Sequence, residues 1–164
     1  MIVGVDNGID GGLCAVSAHN GMIISYTAMP TYERKGKREI DTVAVKNWIA
    51  ELHTEPQIFI EEPLRHAKSS QAVRSMAISF GKLYGLCETK GWKVFDVEVR
   101  EWQKKMLPGV QQGQTKKVAA KVAAHLAPHC SFLKSEKSKV PHDGIVDAYL
   151  IAIYAFRHGD IELF

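Results

Sequence analysis

The sequence predicts an α/β fold in which a five-stranded mixed sheet is flanked by helices. Three short apolar segments separated by turn signals open the chain, and two further apolar segments come later, each after a helical pattern. Strands joined by tight turns pair antiparallel, whereas strands joined through helices run parallel. The first part of the predicted sheet is therefore antiparallel and the second part is parallel.

Turn-forming residues separate the first three predicted strands. Asp-Asn-Gly at 6–8 ends the first strand, and His-Asn-Gly at 19–21 joins the second strand to the third as a hairpin turn. A polar, basic loop is expected over 30–40. The three strands are predicted at 1–6, 11–18 and 22–28.

Helical spacing of apolar residues predicts five helices, and apolar runs at 57–60 and 92–97 predict the two later strands. Asp41 or Thr42 can cap the first helix. Ser69 or Ser70 opens a long second helix that ends before Gly91, a natural stop signal. The remaining helices are predicted at 98–106, 115–126 and 143–158.

Length and composition fit one globular domain spanning 1–164. The chain is 46% hydrophobic and 24% charged, as is typical of a globular protein. No apolar run is long enough to cross a bilayer, and the first residues alternate like a strand instead of resembling a signal sequence. The three cysteines are odd in number and far apart, which favours a reducing compartment. We therefore expect a cytoplasmic protein (in the host cytoplasm if a phage encodes it) without a membrane partner.

Two acidic residues stand at the ends of predicted strands. Asp6 ends the first strand, and Glu61 follows the strand at 57–60. If these strands are parallel neighbours, both acids emerge at one edge of the sheet, where ligands bind in open α/β folds. Each has a simpler explanation, since Asp6 could cap its own turn and Glu61 could be a solvated strand-end acid. Glu62 points to the opposite side of the sheet by alternation, so it ranks behind Glu61 as a candidate site residue.

Two further acids begin the last predicted helix. Asp143 and Asp147 are four residues apart and so lie on one helical face. A helix N-terminus favours acids in its first turn, which explains Asp143 well and Asp147 poorly. Asp147 opens the otherwise apolar stretch 148–155, so it is the acid hardest to explain without a bound cation.

Four carboxylates converging on one sheet edge would repel one another, and divalent cations resolve that repulsion. Mg²⁺ accepts carboxylates and waters in octahedral geometry, and Mn²⁺ accepts similar ligands. Two ions about 3.5–4 Å apart can activate a water and stabilise the leaving oxygen of a phosphoryl displacement. The predicted catalytic and metal-ligating residues, with two ions per site, are Asp6, Glu61, Asp143 and Asp147.

The basic residues favour a nucleic-acid partner. The net charge of +3 and the pI of about 8.7 are only a mild basic excess. Any one run of lysines or arginines is most simply a solvated face, but several runs beside an acidic cluster suit a phosphate backbone. The candidate DNA-binding residues are Lys68, Arg74, Lys105, Lys116, Lys117 and Lys121.

Four motifs, in order, resemble those of the RuvC-type Holliday-junction resolvases of the RNase H-like superfamily. Segment 2–8 resembles the family's apolar-Gly-apolar-Asp motif, and 58–62 resembles its strand-end Glu motif. Gly81 and Gly85 match its G-x-x-x-G, where small residues permit close helix packing, and Asp147-Ala148 resembles its final Asp-Ala motif. The likeness covers most of the chain and is that of a divergent, phage- or virus-like member. The predicted element order is also the RNase H arrangement.

This resemblance implies a function. The four acids would take the family's catalytic roles, in a homodimer that binds a four-way DNA junction and cuts it by paired symmetric nicks. Segment 109–121 resembles the family's basic helix start. Lys116, Lys117 and Lys121 would then lie near the scissile region or the phosphate backbone.

The chain also departs from the family pattern. Its last two acids are four apart where the family usually spaces ligands three apart, so His142 is out of register with a histidine that some members use. Pro63 and Leu64 stand where some members place a base-stacking aromatic, and Trp102 is more simply a core residue. Two alternatives therefore stay open: a related nuclease acting on flaps, forks or RNA–DNA hybrids, and a non-catalytic module that binds branched DNA. A complete acidic set argues against the second.

Overall fold

The structure is a computed structural model that describes residues 1–63, 69–111 and 113–159. Within this part of the chain the element types agree with the sequence prediction, apart from one extra hairpin. The strands are β1 Ile2–Asp6, β2 Gly12–Val16, β3 Ile23–Ala28, β4 Thr31–Arg34, β5 Lys37–Ile40, β6 Gln57–Glu61 and β7 Lys93–Val97. The helices are α1 Thr42–Ala50, α2 Ser70–Lys90, α3 Val99–Met106, α4 Thr115–Leu126 and α5 Asp143–His158.

The capping residues fix where the first two helices begin and end. The Asp41 carboxylate accepts from two backbone N–H groups at the start of α1, and the Ser69 hydroxyl accepts from one at the start of α2. Gly91 ends α2 in the left-handed conformation, with φ of 68°. None of the described helices is long and apolar enough to span a membrane.

The main sheet has the strand order β3-β2-β1-β6-β7, which confirms the predicted mixed arrangement. β1 pairs antiparallel with β2 and parallel with β6, and β6 pairs parallel with β7. β1 is therefore the central strand. Val5 lies opposite Ile60 in the parallel pair, so the two strands end side by side.

Side-chain alternation divides the sheet residues between two cores. Val3 and Ile58 belong to the core that α1 and α2 cover, and Ile2 and Phe59 belong to the core that α3, α4 and α5 cover. α5 is the central helix of the second core, since almost all of its residues from 144 to 155 are buried. Helices therefore cover both faces of the sheet.

The prediction of a loop over 30–40 is wrong, because this segment forms the two-stranded hairpin β4–β5. Lys35 and Gly36 both have positive φ angles, 51° and 70°, as a two-residue turn joining Arg34 to Lys37 requires. Lys-Gly is a weaker turn signal than Asn-Gly. The charged residues of the hairpin also hide the alternation by which strands are recognised.

Candidate active site

Asp6 and Glu61 lie at the ends of two neighbouring parallel strands. Asp6 is the last residue of β1, and Glu61 is the last residue of β6. By alternation, both side chains face the core that contains α5, on the same side as Ile2 and Phe59. The predicted convergence of these two acids at one sheet edge is thus present in the fold.

Glycines allow α5 to approach the sheet closely enough to bring its acids to this edge. A Cβ on Gly4 would lie 2.2 Å from the Ala148 carbonyl oxygen, and one on Gly144 would lie 2.4 Å from the Gly11 Cα. Gly11 and Gly144 also form an isolated parallel bridge. The first turns of α5, with Asp143 and Asp147, are therefore held against the end of β1 and the start of β2.

The G-x-x-x-G glycines of α2 make no close helix contact within the described part of this chain. A Cβ on Gly81 or Gly85 would have nothing within 4 Å in the described structure. The close contact is made instead between α5 and the sheet. Gly4 of β1 lies against α5, and Gly144 of α5 lies against Gly11. Gly81 and Gly85 have the spacing of the family motif, but spacing alone does not show which element a glycine packs against.

Three of the acids perturb one another. Burial raises the pKa of Glu61 to about 8, with the charges of Asp6 and Asp147 adding to the rise. Burial also raises the pKa of Asp147 to about 7, helped by the charges of Asp6 and Asp143. The pKa of Asp6 is raised by burial as well, against a hydrogen bond from the Gly8 N–H at 3.0 Å. Asp6, Glu61 and Asp147 therefore form one electrostatically coupled cluster.

Asp143 differs from these three because it is exposed and paired. Its Oδ2 accepts a hydrogen bond from Lys116 Nζ of α4 at 2.7 Å. This bond raises the pKa of Lys116, and the charges of Asp147 and Asp6 act in the same direction. Lys116 is thus the cation that faces the acidic cluster from α4.

Two residues that the sequence did not identify as parts of the site hold Glu61. The Trp102 indole is buried in the core as expected, but its Nε1 also donates to Glu61 Oε1 at 2.8 Å. Asn7 is fully buried and its amide donates to the Glu61 backbone carbonyl, joining the ends of β1 and β6. Asn7 stood within the turn signal Asp-Asn-Gly, so nothing in the sequence set it apart from an ordinary turn residue.

His142 immediately precedes α5, and its backbone carbonyl accepts from the N–H groups of Ile145 and Val146. Its Nδ1 is buried without a hydrogen-bond partner among the described residues. Burial lowers the pKa of its imidazole, and the charge of Lys134 adds to that effect. The charges of Asp143 and Asp10 act in the opposite direction on this pKa.

The donor chemistry of the cluster fits a hard divalent cation. Carboxylate oxygens are the ligands that Mg²⁺ and Mn²⁺ prefer. A cation would offset both the burial and the mutual repulsion that raise the pKa values of Glu61 and Asp147. In the part of the chain that the structure describes, no three His, Cys, Asp or Glu side chains are already gathered closely enough to enclose an ion. The acids would have to move together when a cation binds.

The predicted DNA-binding residues occupy three separate regions. Lys116, Lys117 and Lys121 are exposed on α4, where Lys116 pairs with Asp143, and Lys105 is exposed on α3. Arg74 is exposed on α2 and lines a cleft beside the β4–β5 hairpin. Lys68 lies outside the described residues.

Together, the mixed sheet order and the two helical layers define an RNase H-like fold of the RuvC type. Two solved structures of RuvC from Thermus thermophilus have this fold. One, in complex with Holliday junction substrate, matches with a TM-score of 0.62 and 12% identity over 96% of this chain and 95% of that one. The other matches with a TM-score of 0.57 and 13% identity over 96% of each chain. No protein-family model matches the sequence, and no curated protein matches it either. At this level of identity, the likeness establishes the fold.

Proposed function

We propose that this protein is a metal-dependent, structure-selective endonuclease that resolves four-way DNA junctions by paired symmetric nicks. The observation that carries the proposal is the coupled cluster of Asp6, Glu61 and Asp147 at the carboxyl edge of β1 and β6. Perturbed acids grouped at such an edge are typical of a catalytic site. The fold adds support, because one of its solved examples is bound to a Holliday junction substrate.

The residues that would hold Mg²⁺ or Mn²⁺, two ions per site, are Asp6, Glu61, Asp147 and Asp143. When bound, such ions would supply an activated water and charge stabilisation for hydrolysis of a phosphodiester bond. Asp143 is the weakest member of the set, since its carboxylate is exposed and already paired with Lys116. That pair can open, because an exposed ion pair is weakly held.

The protein's own residues would prepare the site in three ways. Trp102 donates to one oxygen of Glu61 and so fixes the direction of the carboxylate. Asn7 holds the ends of β1 and β6 together. When DNA enters, the Lys116 ammonium would leave Asp143 and pair with a phosphate oxygen. Lys116 would thus be the counter-ion of Asp143 in the free protein and a DNA contact in the complex.

We further propose that two copies of the chain act together. Two symmetric nicks in a four-way junction require two active sites related by two-fold symmetry, and a homodimer supplies them. Nicks at unrelated positions, or a single nick per junction, would argue against this arrangement.

The experiment is a cleavage assay on a synthetic four-way junction, with linear duplex, flap, fork and RNA–DNA hybrid of matched sequence beside it. Wild type should cut the junction in Mg²⁺ or Mn²⁺ but not in EDTA, and should leave linear duplex intact. Asp6→Asn and Glu61→Gln should abolish cleavage and retain junction binding. Glu88→Gln, the same change at an exposed residue of α2, is the matched control and should cut normally.

Three results would count against the proposal. Full cleavage by Asp6→Asn would remove the acidic cluster from the mechanism. Preferred cutting of flaps, forks or hybrids would retain a nuclease but change its substrate. Junction binding without any cleavage in either metal would favour a non-catalytic binding module.

A further inference from the structure

A basic cleft separates the β4–β5 hairpin from α2. It has a volume of about 440 Å³ and is lined on one side by hairpin residues and on the other by the N-terminal half of the helix. Its lining includes five cationic side chains and one carboxylate. These six residues are Arg34, Lys37, Arg38, Arg74, Lys82 and Glu39.

Ion pairs neutralise only some of the cationic side chains that line the cleft. Lys82 forms an ion pair with Glu39, and Arg38 pairs with Asp10 at 2.8 Å. Arg34, Lys37 and Arg74 are exposed and form no ion pair with any described residue. An anionic ligand would therefore meet three cations that have no ion-pair partner among the described residues, two on the hairpin and one on α2.

The other lining residues suit phosphate oxygens better than bases. Gln71, Ser75 and Ser79 of α2 supply amide and hydroxyl donors, which are common contacts to a nucleic-acid backbone. The described lining contains no aromatic ring on which a base could stack. Recognition in the cleft would therefore be independent of sequence.

The cleft meets the acidic cluster at the loop that follows β1. Ile9 lines the cleft, and Gly8, one residue earlier, donates its N–H to the Asp6 carboxylate. Arg38 Nη2 ties the hairpin to this loop by donating to the Ile9 carbonyl at 2.7 Å. Three residues of chain span at most roughly 11 Å, so the cleft begins within a few nucleotides of Asp6.

We propose that this cleft binds the phosphodiester backbone of the DNA strand that continues from the acidic cluster across the edge of the sheet. The inference rests on the proposed nuclease function, which it extends by assigning a path to the substrate strand. Lys37 and Arg74 would each contact one phosphate. The hairpin would then be a DNA-positioning element, with its register relative to the active site set by Arg38.

The test compares two double variants that remove the same number of charges. Lys37→Ala with Arg74→Ala removes two of the three unpaired cations of the cleft, one from each side, and Lys46→Ala with Lys90→Ala removes two lysines elsewhere. Lys90 is about 24 Å from Arg74 along the same helix, at 1.5 Å per residue. Binding to fluorescent junction, linear duplex and single strand is measured in EDTA from about 50 to 300 mM salt.

The cleft variant should bind nucleic acid on the order of 10–100-fold more weakly at about 0.1 M salt, and its log–log salt slope should fall by about 1.8, for two lost phosphate contacts. The control variant should stay within about twofold of wild type. Thermal unfolding of both variants should match wild type, because all four side chains are on the surface.

The outcomes separate this inference from the function it extends. If both variants bind alike, the cleft assignment is wrong, while the nuclease proposal stands on its own cleavage assay. If the cleft variant alone is impaired but no preference for junctions exists, the cleft assignment stands and the junction substrate does not. If wild type binds none of the three nucleic acids, both are overturned.

Discussion

The buried indole of Trp102 donates a hydrogen bond to the buried carboxylate of Glu61 across 2.8 Å. The two residues are 41 positions apart in the chain and come from α3 and β6. Trp102 is fully buried, and only 9% of Glu61 is exposed. A core residue of one helical layer thus sets the orientation of a site carboxylate, which links the packing of α3 to the chemistry at the sheet edge.

Trp102→Phe should weaken both the fold and the site. The substitution keeps an aromatic ring but leaves a buried carboxylate oxygen without its donor, which costs about 1–3 kcal/mol. Because the lost hydrogen bond normally lowers the pKa of Glu61 against burial, that pKa should rise above about 8. The pH midpoint of junction cleavage should move to higher pH. Trp48→Phe, the same change beside the other core, should leave the midpoint unchanged; an equal shift in both would contradict the role of the hydrogen bond.

Lys116→Ala and Lys117→Ala should have different effects although the residues are adjacent. Lys116 acts on the acidic cluster, and its charge holds the pKa of Asp147 down against burial and the nearby acids. Its removal should therefore shift the pH profile of cleavage towards higher pH. Lys117 has no such contact, so its removal should weaken DNA binding and reduce the salt slope by about 0.9 while leaving the pH profile unchanged. Identical pH profiles for the two variants would show that Lys116 does not act on the acids.

Much of this fold was predictable because local patterns and pairing rules agree. The apolar runs of β1 and β6 and the helix before β6 suggested parallel strands, and the pairing of these strands in the structure places Asp6 and Glu61 at one edge. Asp147 was notable as an acid at the start of an apolar helical stretch, and the structure gives it a raised pKa. These inferences needed only the order of elements and the direction in which side chains alternate.

The rest depended on contacts between distant residues. Apolar spacing predicted that Trp102 is buried, but not that its polar atom reaches Glu61. Asn7 looked like a turn residue because its amide partner is 54 positions away. The G-x-x-x-G spacing of Gly81 and Gly85 suggested close packing, but a glycine's neighbours are fixed by the tertiary structure alone.

Gly144→Ala and Gly85→Ala should have opposite effects on stability. Gly85 lies inside α2, where alanine is favoured over glycine by about 1 kcal/mol, whereas Gly144 is the second residue of α5. Gly85 has open space where a Cβ would lie, so its substitution should be neutral or stabilising. At Gly144 a Cβ would lie 2.4 Å from the backbone of Gly11, so α5 must move away from the sheet and carry Asp143 and Asp147 with it. Chemical denaturation and the cleavage assay measure the two effects.

The prediction for Gly144→Ala is a loss of stability of about 1–3 kcal/mol, as overpacking usually causes, together with a loss of cleavage. Gly85→Ala should retain full cleavage. If Gly85→Ala instead lowers stability or impairs dimer formation, these glycines pack against a second copy of the chain.

Asp147→Asn should stabilise the metal-free protein at neutral pH, although it removes a proposed catalytic residue. Burial and the neighbouring acids raise the pKa of Asp147 from its ordinary value of 3.8 to about 7, so the folded state binds a proton that the unfolded state releases between these values. The stability of wild type relative to the variant is therefore greatest below about pH 4, and is lost as the pH rises through 7. At pH 8 the variant should be more stable by on the order of 1–4 kcal/mol.

Added Mg²⁺ should reverse the ranking of wild type and Asp147→Asn, because wild type gains binding free energy that the variant lacks. Unfolding curves of both proteins at pH 5 and pH 8, each with EDTA or with Mg²⁺, measure the difference in stability under these four conditions. A variant whose stability follows wild type at both pH values would show that Asp147 is neither buried nor coupled as described, and an equal response to Mg²⁺ would remove it from the ligand set.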